Sequence, residues 1–190
     1  YGLTELGREF LVKAIDLGIS IDMSHMNKKT FFDTVELLRE QKALGKDVKV
    51  IASHSNCYDL YSHERNLNDE QILALKEFNP VIGLVSYSVF VGSEDVVDIK
   101  GEYLKHINHV VELLGIDCVG VSTDDMTFAT ALYGEIADRE VFNYKSVKND
   151  LINLLKENYN DEEIEKILVS AIYDIFNSRD FENLIKEIVK

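Results

Sequence analysis

The sequence predicts an α/β fold with parallel strands. Three short apolar or β-branched runs, each about the length of a strand, are separated by amphipathic stretches long enough for helices. Each run leads directly into a side chain that can bind a metal or transfer a proton, namely His25, His54 and Asp124. In parallel β/α sheets and barrels the functional groups collect just past the carboxyl ends of the strands. The repeated placement therefore predicts one shared site.

The composition indicates a globular protein and excludes some classes of partner. Of 190 residues, 46% are hydrophobic and 28% are charged, as in ordinary globular domains, and we expect a single domain over residues 1–190. A net charge of −14 argues against nucleic acid or an anionic membrane as the partner. Cys57 and Cys118 have neither a CxxC spacing nor a disulfide framework, so a cytoplasmic location is expected. No apolar run is long enough for a membrane span, and no signal peptide precedes the first predicted helix.

The first third of the chain alternates between helix and strand. Thr4 can cap a helix that has Leu6, Phe10, Ala14 and Leu17 on one face. Glycines follow the first two predicted helices and can end them. The predicted elements are a helix over 4–17, a strand over 19–23, a helix ending near residue 45 and a strand over 48–53.

The alternation continues to residue 123. After a polar loop over 55–66, Asn68 can cap a helix whose first turn is acidic, as the helix dipole favours. The only proline, Pro80, introduces the third strand. Near the end of the chain, Asn160 and Glu163 have the spacing of a capping box. The predicted elements are strands over 81–86 and 118–123, a helix over 99–114, a long loop over about 125–144 and two or three closing helices.

Four parallel strands form an incomplete barrel. An eight-stranded β/α barrel needs about 250 residues, and this sequence starts on a helix rather than on a strand. Two architectures fit the pattern: a small open α/β sheet, or the C-terminal half of a (β/α)8 barrel. Composition alone does not separate them.

The residues after the strands are candidates for a metal site. His25 and His54 lie one β/α unit apart, so adjacent parallel strands would place both imidazoles on one rim. Neutral imidazole is a good ligand for zinc, iron or nickel, although a single histidine there is more often a hydrogen-bonded core or rim residue. Asp124 can be a ligand, a base or an acid. It can equally be a loop carboxylate, and the neighbouring Asp125 makes the assignment ambiguous.

Three other polar residues have alternative interpretations. Arg65 follows the second histidine strand, where its guanidinium could hold a carboxylate in a bidentate pair. Without further information an exposed loop arginine is the more common case. His106 and His109 lie three residues apart on one predicted helix, with no nearby carboxylate partner. We interpret them as a capping or packing pair rather than as a metal site.

Several blocks of this sequence together resemble the membrane (renal-type) dipeptidase family. The resemblance covers residues 2–126 closely and the closing helices more loosely. The paired histidine blocks followed by the arginine block are its most specific part. The blocks are, in order, GLTELGRE at 2–9, IDMSH at 21–25, IASHSN at 51–56, HERNL at 63–67 and GVSTD at 120–124.

The resemblance implies a (β/α)8 barrel that binds two zinc ions and hydrolyses dipeptides. It implies that His25 and His54 are zinc ligands and that Arg65 holds the terminal carboxylate of the substrate. Asp124 would handle the proton that is delivered to the leaving amine. A water activated by both metal ions would be the nucleophile.

The sequence also departs from the family pattern. The other metal ligands of the family, a His-x-Asp pair and a bridging Glu, belong to a region before the first block, and neither Asp22 nor Glu64 has the context to replace the Glu. The usual Asp-Phe-Asp after the last strand reads Asp124-Asp125-Met126 here. The chain therefore resembles the C-terminal half of a dipeptidase. Its expected partners are a dipeptide substrate and the N-terminal half of the barrel, and a homodimer is left open.

Two other functions remain open. The first is a non-catalytic half-barrel that binds a metal or another ligand, such as a degenerate paralogue. The second is a binuclear amidohydrolase acting on a cyclic amide. That enzyme would need a strand lysine between its metals, and Lys49 points the wrong way in the run that ends at His54.

Overall fold

The computed structural model describes residues 1–122, 141 and 150–176, with the side chains of 169–176 left out of the description. Within these ranges the fold is mixed α/β, with four parallel strands in the order β1-β2-β3-β4. The predicted alternation of helices and parallel strands is therefore confirmed. The elements are α1 (Glu5–Asp16), β1 (Ile21–Asp22), α2 (Lys28–Ala43), β2 (Val50–Ala52), α3 (Asp69–Leu75), β3 (Val81–Val85), α4 (Ile99–Leu114), β4 (Val119–Ser122), α5 (Ile152–Leu155) and α6 (Asp161–Phe176).

Side-chain caps determine where the helices begin. Each cap accepts a hydrogen bond from a backbone N–H that has no partner inside the first turn. The predicted caps Thr4 and Asn68 are confirmed, and Asn68 forms a full capping box with Gln71. Asn160 and Glu163 also bond reciprocally, as predicted. Asn27 and Asp98 cap α2 and α4 in the same way.

The register of the sheet brings the carboxyl ends of its strands to one edge. Ile21 pairs with Val50, and Asp22 pairs with Ile51. β1 and β2 are shorter than predicted, with two and three residues. They end early because the Asp22 side chain accepts the backbone N–H groups of Ser24 and Ser53, at 3.0 Å each. The chain then turns at the sheet edge instead of continuing the ladder.

The core lies between the sheet and its surrounding helices. All five residues of β3 are buried. The large side chains of Phe31, Leu38 and Ile107 are fully buried, and burial of such a side chain stabilises the fold by about 1.5–3 kcal/mol. Tyr103 is also fully buried and donates its hydroxyl proton to the backbone oxygen of Leu84 at 2.7 Å. Among the described helices, none is long and apolar enough to cross a membrane.

One apolar face of α1 is exposed. Ala14 and Ile15 pack into the core, whereas Leu6, Phe10 and Leu17 are 76%, 71% and 66% exposed. The apolar face predicted for this helix is therefore only partly buried: Ala14 is buried, and the other three predicted residues are exposed. We call Leu6, Phe10 and Leu17 the α1 stripe. It lies on the helix next to β1, which is an edge strand of the described sheet.

Candidate active site

His25 lies just past β1 in an unusual backbone conformation. Its φ is +70°, in the left-handed region that L residues other than glycine rarely adopt. This conformation costs about 1–2 kcal/mol. Such strained residues cluster at functional sites, where the surrounding structure holds them in place. Here the Asp22 carboxylate holds the turn before His25, and the Asn27 cap fixes the start of α2 after it.

His54 follows β2, and its imidazole meets that of His25. The two Nε2 atoms are 2.7 Å apart, and the ring centroids are 4.8 Å apart with planes at 62°. The pairing of β1 with β2 explains this meeting, because both histidines follow strands that end at the same edge. The expectation that the two side chains share one rim is confirmed for these two histidines.

Arg65 completes this cluster from the following loop. Its Nη2 atom lies 2.8 Å from His25 Nε2, and its guanidinium carbon lies 5.6 Å from the centre of the Phe90 ring. The loop itself is anchored, because Asn66 donates from its side-chain amide to the backbone oxygens of Tyr61 and Phe90, both at 2.9 Å. The guanidinium Nε is buried and has no hydrogen-bond partner within the described structure.

The protons available to these nitrogens cannot satisfy all of the close contacts. A neutral imidazole nitrogen carries either one hydrogen or one lone pair, and a guanidinium nitrogen only donates. If His25 Nε2 accepts from Arg65, it presents no hydrogen to His54. If it donates to His54 instead, it opposes an N–H of Arg65. Two nitrogen lone pairs that face one point suit a cation between them.

The donor atoms fit zinc in type, and they supply only part of a site. With Zn–N bonds of 2.0–2.1 Å, two ligands of one tetrahedral ion lie about 3.4 Å apart. The two imidazoles would therefore have to separate by roughly 0.7 Å. Within the described ranges no group of three or more His, Cys, Asp or Glu side chains could hold a metal ion. Further ligands would have to come from outside these residues.

A cavity of about 550 Å³ opens beside the cluster. Its walls include His25 and Arg65, together with Met23, Tyr58 and Gln71. Ligand pockets in proteins commonly have volumes of about 300–1,000 Å³. The cavity thus offers a guanidinium and an imidazole to a small polar ligand.

His106 supports the chain behind His54. Its Nδ1 accepts the backbone N–H of Cys57 at 3.1 Å, and its Nε2 donates to the backbone oxygen of Val91 at 3.0 Å. Burial lowers the pKa of His106, so the imidazole is kept neutral. Burial also raises the pKa of the Cys57 thiol. The predicted packing role is therefore observed for His106.

His109 differs from the sequence-based interpretation in one respect. We expected no carboxylate near it, but Asp69 of α3 lies 2.7 Å from its Nε2. The sequence concealed this partner because the two residues are 40 positions apart. Lys49 lies 3.8 Å from Asp47, before β2 and at the opposite end of the strand from His54. It is not positioned to bridge metals at the histidine edge.

Two predicted features of the site fall outside the described residues. β4 is described as far as Ser122, and Asp124 and Asp125 lie in the stretch after it that is not described. The geometry of both carboxylates therefore stays a prediction.

Sequence reasoning missed two residues of the described site, Asp22 and Ser53. The Asp22 carboxylate accepts from the Ser53 hydroxyl at 2.5 Å, and the same hydroxyl lies 2.6 Å from His54 Nδ1. A signal was present in the sequence, since a serine precedes both histidines and an aspartate interrupts an apolar strand. Their mutual contact depends on the strand register, which the sequence did not provide.

A family model and individual relatives point to the same protein family. The family model of the membrane dipeptidases, peptidase family M19, matches residues 1–186. An uncharacterised protein from the pqqA 5′ region of Klebsiella pneumoniae is 30% identical over 126 residues, which are 65% of this chain and 44% of that protein. An uncharacterised dipeptidase of Schizosaccharomyces pombe is 29% identical over 126 residues, which are 65% of this chain and 28% of that protein.

A solved structure shows the same fold. A metallopeptidase from Rhodobacter sphaeroides, liganded with a phosphinate mimic of the dipeptide L-Ala-D-Ala, superposes with a TM-score of 0.71 at 24% identity. The superposition covers 93% of this chain and 47% of that chain. The chain thus spans less than half the length of these relatives, and its sheet corresponds to about half of such a fold. On the match of the family model over residues 1–186, this chain belongs to the membrane dipeptidase family, peptidase family M19.

Proposed function

We propose that this chain carries part of the metal site and the substrate clamp of a metal-dependent dipeptidase. The observation that carries the proposal is the 2.7 Å approach of His25 Nε2 and His54 Nε2 at the carboxyl edge of a parallel sheet. Membership of a dipeptidase family supports peptide-bond hydrolysis as the reaction. Because the chain spans less than half the length of the curated relatives it matches, we assign the activity to the protein that contains the complete site.

Zinc is the proposed metal, with two ions in the complete site. His25 and His54 would be the ligands from this chain, as neutral imidazoles that bind through Nε2. Zinc sites use three or four protein ligands, so this chain by itself should bind zinc weakly. When bound, the metal would supply a water that is nucleophilic near neutral pH.

Arg65 is the proposed clamp for the terminal carboxylate of a dipeptide. Its guanidinium carries a fixed positive charge and presents paired N–H groups that match a carboxylate. A cation bound to His25 would repel the guanidinium from its present position 2.8 Å away. We propose that the guanidinium then turns into the cavity, which Arg65 and His25 both line.

Asp124 is proposed to carry the proton that the leaving amine requires. The amine must be protonated as the C–N bond breaks, and a carboxyl group near the metals is suited to deliver that proton. The support for this role is the position of Asp124, two residues after β4, together with its match to the family block.

We propose that the N-terminal half of the barrel covers the open side of this chain. Strand β1 is an edge of the described sheet, and unpaired edges are normally covered or blunted. The α1 stripe exposes three large apolar side chains beside that edge. A cytoplasmic location and a homodimer are expectations that rest on the sequence alone.

The test measures zinc content and dipeptide hydrolysis for this chain, alone and combined with the N-terminal half of the barrel. L-Ala-D-Ala and L-Ala-L-Ala are suitable substrates, because a mimic of the former binds the Rhodobacter sphaeroides relative. We expect weak zinc binding and no turnover by the chain alone, and turnover by the combined halves. His54→Ala should abolish zinc binding. His109→Ala, at a histidine held by Asp69 outside the site, is the matched control.

Two results would contradict the proposal. Tight stoichiometric binding of two zinc ions by this chain alone would mean that its ligand set is not the one proposed. Zinc binding by the combined halves without hydrolysis of any dipeptide would favour the second candidate, a non-catalytic half-barrel that binds a metal or another ligand. The observation that favours this second candidate is that the described residues provide only two converging metal ligands.

A further inference from the structure

A chain of hydrogen bonds lies behind His54 on the side away from His25. It runs from the Asp22 carboxylate to the Ser53 hydroxyl at 2.5 Å and from that hydroxyl to His54 Nδ1 at 2.6 Å. All three residues lie at the carboxyl edge formed by β1 and β2. The chain ends on the imidazole nitrogen opposite to the one that meets His25.

The Asp22 carboxylate fixes the direction of this chain. Its Oδ1 accepts two backbone N–H groups, those of Ser24 and Ser53, each at 3.0 Å. Its Oδ2 is left for the Ser53 hydroxyl. An ionised carboxylate only accepts hydrogen bonds, so the hydroxyl must donate its single proton to Asp22. A hydroxyl turned the other way would place two oxygen lone-pair regions 2.5 Å apart with no proton between them.

The Ser53 hydroxyl then has no hydrogen left to donate to His54, so its oxygen must accept a hydrogen bond from His54 Nδ1. The neutral imidazole carries its hydrogen on Nδ1, and Nε2 presents a lone pair. That lone pair is directed at the point where His25 Nε2 also converges. Free neutral histidine favours the opposite tautomer, with the hydrogen on Nε2, so this assignment requires the chain.

We propose that Asp22 and Ser53 are positioning residues that hold His54 in the Nδ1–H tautomer, so that its Nε2 can bind a metal. The proposal rests on the proposed metal site and adds to it the groups that prepare one ligand before the metal arrives. In metal sites generally, such partners behind a ligand histidine fix its tautomer and orientation. Their loss typically weakens metal affinity by about 10–100-fold.

The geometry makes a sharp prediction for Asp22→Asn. The side-chain oxygen of the asparagine should take the Oδ1 position, because two backbone N–H groups point at it. Its NH2 group then faces the Ser53 hydroxyl and donates to it. The hydroxyl must turn and donate to His54 Nδ1, which moves the imidazole hydrogen to Nε2. One substitution of nearly equal size thus reverses the hydrogen-bond chain.

The experiment reads the tautomer of His54 directly. Long-range ¹H–¹⁵N spectra of the metal-free chain distinguish Nδ1–H from Nε2–H at about pH 8, above the ordinary histidine pKa of about 6.5. The chain has five histidines, and His54→Ala identifies the signals of His54. Zn²⁺ titration followed in the same spectra gives the relative affinities, and unchanged His106 signals report an intact fold.

We expect Nδ1–H for His54 in the parent chain and Nε2–H in Asp22→Asn, with zinc affinity about 10–100-fold lower. Ser53→Ala should move the tautomer the same way, and Ser53→Thr, which keeps the hydroxyl, should restore it. Ser55→Ala is the matched control, because Ser55 bonds to Ser24 and not to the His54 ring. If Asp22→Asn loses the fold, the Ser53 variants carry the same test.

An Nε2–H tautomer in the parent chain would overturn the inference, whether or not the complete protein hydrolyses dipeptides. An unchanged tautomer in both Asp22→Asn and Ser53→Ala would also overturn it. Conversely, absence of dipeptide hydrolysis would count against the proposed function and leave the tautomer measurement intact.

Discussion

Replacing Gly83 with alanine should distort the histidine edge through a backbone clash. An ideal Cβ at this position would lie 2.3 Å from the backbone oxygen of Ser53 and 3.0 Å from its carbonyl carbon. Carbon and oxygen atoms in contact normally lie about 3.3–3.6 Å apart. The carbonyl of Ser53 would therefore have to withdraw by at least about 1 Å. It cannot do so alone, because the N–H of Ser55 donates to the backbone oxygen of Gly83 at 2.9 Å.

The cost should fall on both stability and metal binding. Overpacking of a well-packed interior costs about 1–3 kcal/mol, and we expect the upper part of that range because the clash is with backbone. For a chain of this size, 2–3 kcal/mol corresponds to a fall in Tm of roughly 4–12 °C. His54 follows Ser53 in the chain, so a shift of the Ser53 carbonyl also moves the His54 imidazole. Because metal–ligand distances are held to about ±0.2 Å, zinc affinity should fall more than tenfold.

Thermal unfolding and zinc titration of Gly83→Ala measure the two effects. Gly7→Ala is the matched control, because its Cβ would meet only side-chain atoms of Leu3 and Thr4, at 3.0 and 3.3 Å. We expect that control to shift Tm by much less. A Gly83→Ala chain with the parent Tm and the parent zinc affinity would refute the packing argument.

Three further predictions concern the substrate, the proton and the fold. In the complete enzyme, Arg65→Lys should mainly raise KM, because lysine lacks the bidentate fork; equal activity on amidated dipeptides would reject the clamp. Asp124→Asn should lower kcat by about 10²–10⁴ with metal content intact, and Asp125→Asn much less; a reversed order would move the proton carrier by one residue. The pKa of His106 is lowered by burial, so the unfolded chain binds its proton first as the pH falls. The contribution of neutral His106 to the free energy of unfolding should be full above about pH 6.5. Below that pH it should fall by at most about 1.4 kcal/mol per pH unit. Urea unfolding at several pH values measures this dependence, and His106→Gln should make it flatter; an equally steep dependence in that variant would reject the assignment.

The strand-end pattern was sufficient to predict the sheet and the meeting of two histidines. Parallel pairing places every carboxyl end at one edge, so the positions of His25 and His54 after apolar runs already implied that both side chains lie on one rim. Its position in the loop after the second histidine strand made Arg65 a candidate, but a loop residue has no periodic signal, and only the family resemblance favoured a substrate role over an exposed loop arginine. The structure adds the anchors of that loop, especially Asn66, whose amide fixes the chain beside the arginine.

Other features could not be read from the sequence because they depend on register and packing. The contact of Asp22 with Ser53 links the last residue of β1 to the residue just after β2, and no local pattern encodes it. The apolar spacing of α1 suggested one buried face, yet Phe10 is exposed, because periodicity does not say which part of an apolar face meets the sheet.

The left-handed backbone of His25 has a consequence for mutational tolerance. Glycine, and to a lesser degree asparagine, adopts φ near +70° with less strain than other residues. In a deep mutational scan, position 25 should therefore separate two readouts that usually move together. Glycine and asparagine there should be well represented among abundant, folded variants and absent from variants selected for zinc-dependent activity. β-branched residues should be depleted both from the abundant variants and from the active ones. That outcome would show that the strained backbone at position 25 lowers local stability and is kept because the imidazole is needed as a ligand.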